Sequence, residues 1–235
     1  MEDKRKLLND FFAAFPLETL SEMQLDKYTN LNRADSFCYW VESRTYKLGS
    51  IRGGSSYKFG IYKYNEKPKG KAAGVMCDDT YAWYTKNGNT AEEAYSFVRS
   101  EIVKIAIYAK DSELEAIDDI TTLGDVFKWK IAFLYSNEQL IPIYNRSMLE
   151  TVSAKYGMDD PKNKSIPEMQ RFLLAKKGTE DLFVFYDKLL QMLDNNGQTN
   201  IPQSSEKKYW LYAPGEKTSK WNPCQQDNIV CIGWD

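Results

Sequence analysis

Between Arg44 and Lys71 eight basic side chains face one acid, Glu66: Arg44, Lys47, Arg52, Lys58, Lys63, Lys67, Lys69 and Lys71. The stretch carries +7 in a chain of net charge −2, so the remainder carries −9. One basic segment in an acidic protein is a directional electrostatic feature. Tyr46, Tyr57, Phe59, Tyr62 and Tyr64 are interleaved with the bases. Cations neutralise phosphates and aromatic rings stack on bases, which is the chemistry of a nucleic-acid surface. The same pattern also suits a solvated hairpin whose rings face a core.

Inside this stretch lies GSIRGGSS. Gly49 and Gly54 have the spacing of a nucleotide-binding loop, but Ser55 and Ser56 follow where that loop needs Lys and then Ser or Thr. Nucleotide hydrolysis at this site is therefore rejected. Two readings remain: a tight turn before a strand, or a bend whose backbone donors and serine hydroxyls grip a phosphate.

Other chemistries are excluded more simply. The chain has no histidine, so Ser-His-Asp and Cys-His nucleophiles cannot be built from it. Cys38, Cys77, Cys224 and Cys231 are scattered with no CxxC, which argues against zinc and fits free thiols in a reducing cytoplasm. No metal and no cofactor is expected. The acid pairs Asp78–Asp79, Asp118–Asp119 and Asp159–Asp160 read as solvated loops. No apolar run approaches the roughly 18 residues a membrane span requires, and the N-terminus lacks the features of a secretory signal.

The elements that must position these residues follow from periodicity. Leu7, Leu8, Phe11, Phe12 and Phe15 predict a helix over 2–15 that Pro16 ends. A short helix is expected over 21–31, and another in DSFCYWVES with Asp35 as its N-cap. Tyr57, Phe59 and Ile61 alternate as in a strand. NEKPKGKAAG reads as a loop, and DDTYAWYTKNGN as a strand entering a turn.

Thr90–Glu93, Ser147–Glu150 and Ser165–Glu168 are capping-box patterns, each opening a helix. The first predicts a helix over 90–110 with Ala94, Phe97, Val98, Ile102 and Ile105 buried. Gly157 is expected to cap the second. KWKIAFLY (128–135) alternates Trp129, Ile131, Phe133 and Tyr135 and is read as a strand. Trp40, Trp83 and Trp129 are expected in the core. A last helix is predicted over 179–194, and DNNGQTNIPQSSEKK (194–208) is a linker. The class is α+β, with helices packed around a small, mostly antiparallel sheet over 1–194.

Several long strings resemble a known family: FPLETL, LDKYTNLNRADSFCYWVE, LGSIRGGSSYKFGIYKY, DDTYAWYTKNGNTAEEAYSFVRSEIVKIA and FKWKIAFLYSNEQLIPIYN. Over about 10–195 they look like the N-terminal module that precedes McrB-type AAA+ motors in modification-dependent restriction systems. YWLYAPGEKTSKW and IVCIGWD, at 209–235, resemble the start of an EVE domain, a PUA-like fold. That segment is too short to bury a core alone and reads as a truncated EVE-like stub after the 195–208 linker.

The resemblance implies recognition of double-stranded DNA, methylated DNA included, with cleavage by a nuclease subunit reached through the motor and no membrane partner. Arg52, Ser55, Ser56, Lys58, Lys63, Lys67, Lys69 and Lys71 are the expected backbone contacts. Tyr39 and Trp40 are the candidates for a base pocket. No catalytic residue is assigned. The rival reading is a protein-interaction module that positions the motor or a partner without touching DNA, and a nucleotide-modifying enzyme stands behind both.

Overall fold

The computed structural model describes residues 2–32, 35–53, 55–65 and 74–194. These all fall in the first of two units, Met1–Thr199, into which the chain divides. The expected linker (195–208) and EVE-like stub (209–235) lie outside the described residues.

The class is α+β, as expected: the described residues are mostly helical and pack around a three-stranded antiparallel sheet. Helix α1 spans Glu2–Ala14, followed by a 3-10 helix at Leu17–Glu22 and the short α2 at Leu25–Tyr28. The helix expected over 21–31 is thus divided in two. Helix α3, Phe37–Tyr39, runs on into a π turn at Trp40–Arg44. Its cap is Ser36, whose hydroxyl accepts from the Tyr39 amide at 3.3 Å, and not Asp35.

Strands β1 (Ile61–Lys63), β2 (Val75–Cys77) and β3 (Tyr81–Tyr84) pair in the order β1-β3-β2, with Ile61 and Met76 both in register with Trp83. The alternation of Tyr57, Phe59 and Ile61 is only half a strand, because Ser56–Phe59 is a 3-10 turn. The sequence predicts nothing at β2, which is too short to show a period.

Helix α4, Ala91–Lys110, begins where predicted. The Thr90 hydroxyl accepts from the Glu93 amide at 3.2 Å, while the Glu93 carboxylate accepts from Asn89, one residue earlier than a reciprocal box requires. Its buried face holds Ala94, Val98, Ile102 and Ile105, joined by Tyr95; Phe97, expected inside, is exposed.

The largest correction concerns 128–135. Here the chain forms helix α6, Asp125–Tyr135, not a strand, and every residue from Phe127 to Tyr135 is buried. Alternation along a run that is buried on all sides does not distinguish strand from helix. Ala132, Leu134 and the two lysines favour the helix, and Ile131 is its one β-branched residue past the first turn. α6 is the central strut of the core, packed against α4. Each large apolar side chain it encloses contributes about 2 kcal/mol.

Helix α5 (Leu114–Asp118) precedes α6, and α7 (Arg146–Lys155), α8 (Ile166–Lys177) and α9 (Leu182–Asp194) complete the scaffold. The Ser165–Glu168 box is reciprocal, as expected. Ser147–Glu150 is not one: Asn145 caps α7, and Glu150 pairs with Arg146 at 3.0 Å. Gly157 ends α7 in the left-handed region, φ 85°, with its amide and that of Met158 closing on Ala154 and Ser153. α9 starts at Leu182, later than predicted, because the Asp181 carboxylate accepts from the Phe183 and Val184 amides. Among the described residues no helix is long and apolar enough to cross a membrane.

Candidate nucleic-acid interface

The glycine-bent segment leaves the π turn at Thr45, whose hydroxyl donates back to the Trp40 carbonyl at 2.9 Å. A 3-10 turn at Tyr46–Leu48 follows, with Leu48 buried and Tyr46 and Lys47 exposed. Gly49 then takes φ 88°, and a β-carbon on it would lie 2.4 Å from the Pro142 carbonyl oxygen and 2.5 Å from the Tyr144 ring. This glycine therefore permits close packing on the chain before α7. It is not an opening for a phosphate. Its carbonyl, with those of Thr45 and Leu48, points inward to the Lys130 ammonium.

Beyond Gly49 the chain returns to solvent. Ser50 Oγ accepts from the Arg52 amide, and Ile51 is buried as an anchor. The Arg52 guanidinium lies on the Tyr46 ring, 4.5 Å from its centre, and donates to the Ser43 carbonyl at 3.0 Å. That leaves most of its five donors toward water. Arg44, also exposed, covers the Trp40 ring at 4.1 Å. Arg44, Lys47 and Arg52 thus share one corner with an exposed aromatic ring. Sequence reasoning counted Arg44, Tyr46 and Lys47 in the basic stretch but chose only Arg52 among them as a contact, because only the 3-10 turn decides that Tyr46 faces out and Leu48 in.

The other expected contacts divide. Ser55 and Ser56 are exposed, and Ser55 Oγ caps the turn over Ser56–Phe59 by accepting from the Tyr57 amide. Lys58 is corrected: its ammonium donates to Glu42 at 2.5 Å, to the Ile51 carbonyl at 2.9 Å and to the Gly53 carbonyl at 2.8 Å. All three donors are used inside the chain, so it ties the loop and presents no charge to a phosphate. Lys63 is half-buried, 3.4 Å from Asp26 and over the Tyr81 ring. Lys67, Lys69 and Lys71 lie outside the described residues.

Of the two base-pocket candidates, Trp40 is in the core, edge-on to Phe11 and Phe15. It cannot line a pocket. Tyr39 does line one, a cleft of about 130 Å³ shared with Asn30, Ser43, Ser56, Tyr62 and Lys63. Buried Cys38 lies at its floor, its thiol pushed well above the ordinary range by burial. Burial also pushes the Tyr62 hydroxyl up, aided by its neighbour Tyr57. The cleft and the basic corner meet at Ser43, whose carbonyl holds Arg52.

The acid pairs serve local turns where described. Asp78 accepts from the Thr80 and Tyr81 amides at 2.7 Å, and Asp160 accepts from Asn163. Asp118 and Asp119 close helix α5.

Compared with protein-family models, curated proteins and solved structures, the chain matches none.

Proposed function

We propose that this chain is the DNA-recognition module of a McrB-like modification-dependent restriction protein. The carrying observation is the corner where Arg52 stacks on exposed Tyr46 beside Lys47 and Arg44. A stacked guanidinium keeps its edge donors for phosphate, and the ring beneath it holds it in place. The nearby carboxylate, Glu42, is neutralised by Lys58, so the corner keeps its positive field. In this reading Arg44, Lys47 and Arg52 meet the sugar–phosphate backbone, with Ser55 and Ser56 beside them. The cleft under Tyr39 and Tyr62 receives an extruded base, whose unstacking costs a few kcal/mol. Cleavage falls to a nuclease subunit reached through a motor, and no catalytic residue is assigned here.

The test is titration of the chain against labelled duplexes, unmodified or carrying methylcytosine, hydroxymethylcytosine or methyladenine, over a range of salt. Affinity should fall log-linearly with salt, by about 0.9 per phosphate neutralised. The triple substitution Arg44→Ala, Lys47→Ala and Arg52→Ala should reduce that slope by about 3, one for each cation removed from the backbone. Binding that ignores salt, or survives the triple unchanged, overturns the proposal.

A second reading, a docking module for a partner protein, is favoured by Phe97 and Ile107, both exposed on the outer side of α4. Under it, Phe97→Glu would abolish partner capture and leave the duplex titration untouched.

A further inference from the structure

Helix α6 carries two lysines whose ammonium groups end inside the protein. Lys128 reaches the Asp118 and Ile120 carbonyls at 3.0 and 2.8 Å, with Asp125 at 3.4 Å. Lys130 is wholly buried and reaches the carbonyls of Thr45, Leu48 and Gly49 at 2.9, 2.7 and 2.8 Å. Its three N–H donors thus meet three acceptors, all in one turn of the basic corner. The Tyr144 hydroxyl donates to the same Leu48 carbonyl at 2.5 Å, and the Tyr144 ring lies 5.2 Å from the ammonium.

A cation placed so deep is costly, and a hydrophobic residue of like volume is often as stable there. Burial, with no charged partner, pushes the Lys130 pKa down. What the ammonium supplies and a methionine cannot is direction. It turns three peptide carbonyls inward, and this fixes the opposite side of the same turn, Tyr46 and Lys47, outward. Lys128 does the equivalent at the end of α5, far along the chain from the corner.

We infer that Lys130 is a positioning residue for the nucleic-acid interface: from within the core it sets the shape of the 45–49 turn that presents Tyr46, Lys47 and Arg52 to a duplex. This rests on the reading of that corner as the DNA-binding surface. Lys130 touches no ligand itself. It acts only through the backbone it holds.

The full chain serves for the test, with Lys130→Met and Lys128→Met compared by amide hydrogen exchange and by duplex titration across salt. Lys130→Met should accelerate exchange through 45–53 and weaken duplex binding roughly tenfold, the scale of coupling within one hydrogen-bonded network. It should also lower the salt slope, and add nothing further on the Arg44/Lys47/Arg52 triple background. Lys128→Met removes the same kind of buried group, yet should leave the 45–53 exchange and the salt slope at wild-type values.

Wild-type affinity and slope in Lys130→Met overturn the inference, as does equal behaviour of the two variants. If Lys130→Met does not fold, Lys130→Gln, which keeps only two of the three donors, carries the test; unchanged exchange and binding in it overturn the inference. A wild-type chain that binds no duplex overturns the DNA reading instead. The pin is then judged on exchange alone, and unaltered exchange across 45–53 ends it.

Discussion

Arg52 and Lys58 belong to one basic stretch, and the fold gives them opposite environments. At 44–53 the cations are exposed: Arg44 and Arg52 lie over aromatic rings, and Arg52 donates to the Ser43 carbonyl. At 58–63 they are absorbed: Lys58 by Glu42 and two carbonyls, Lys63 by Asp26. The difference lies in what surrounds each side chain once the chain bends at Gly49, Gly53 and Gly60. Formal charge along a sequence counts protons; charge available to a ligand also depends on how far each cation stands out of the fold.

The two glycines at the corner give the largest contrast. Gly49→Ala should cost about 3 kcal/mol, combining a disfavoured left-handed backbone with overpacking against Pro142 and Tyr144. Gly53 has a similar φ of 92° but open space around it, so Gly53→Ala should cost about 1 kcal/mol from backbone strain alone. Urea unfolding of both variants checks this, and equal losses would mean that the corner is not seated against the α7 entry as described.

Next comes the cation pair itself. Lys58→Met should cost about 2 kcal/mol, because it leaves Glu42 and two carbonyls without their donor. Arg52→Ala should change stability by no more than about 0.5 kcal/mol, as exposed substitutions do, while weakening the duplex complex. Chemical denaturation beside the titration separates the two. If Arg52→Ala proves the more destabilising, the division between presented and absorbed charge fails.

The smallest effect is alkaline. Tyr28 and Tyr144 are buried, donate to the carbonyls of Phe59 and Leu48, and have pKa values well above the ordinary tyrosine value. A folded-state pKa above the unfolded one means that the proton is held more tightly by the native state. Stability from these groups is therefore complete below about pH 10 and is lost as pH rises beyond it. Thermal melts taken upward from pH 9 should decline there, and Tyr144→Phe should shallow the decline.

Much of the frame was readable in the residues. Leu8 and Phe11 follow helical spacing, Ser165 and Glu168 satisfy each other's backbone donors, and Gly157 stands where a helix must turn left-handed. Local chemistry decides such features, so a local pattern reveals them. α6 was not readable, because a segment enclosed on every side has no polar face to mark its period. Trp40 and Tyr39 are neighbours with opposite roles, and only the π turn and the packing of Phe11 and Phe15 separate them. Lys130 was invisible for a related reason: its partners are backbone carbonyls more than eighty residues away, and carbonyls carry no sequence signal.

The π turn at Trp40–Arg44 closes with the Thr45 amide on the Trp40 carbonyl, five residues back. An ordinary helical turn would close one residue sooner, and each residue advances the direction of a helix by about 100°. Everything downstream therefore leaves at a heading set by a single surplus amino acid. Removing Glu42 or Ser43 would turn that heading by about 100° and carry the inward side of the segment that follows toward its edge. Surface segments usually accept gains and losses of length; this one is keyed to its residue count, as a thread is to its pitch.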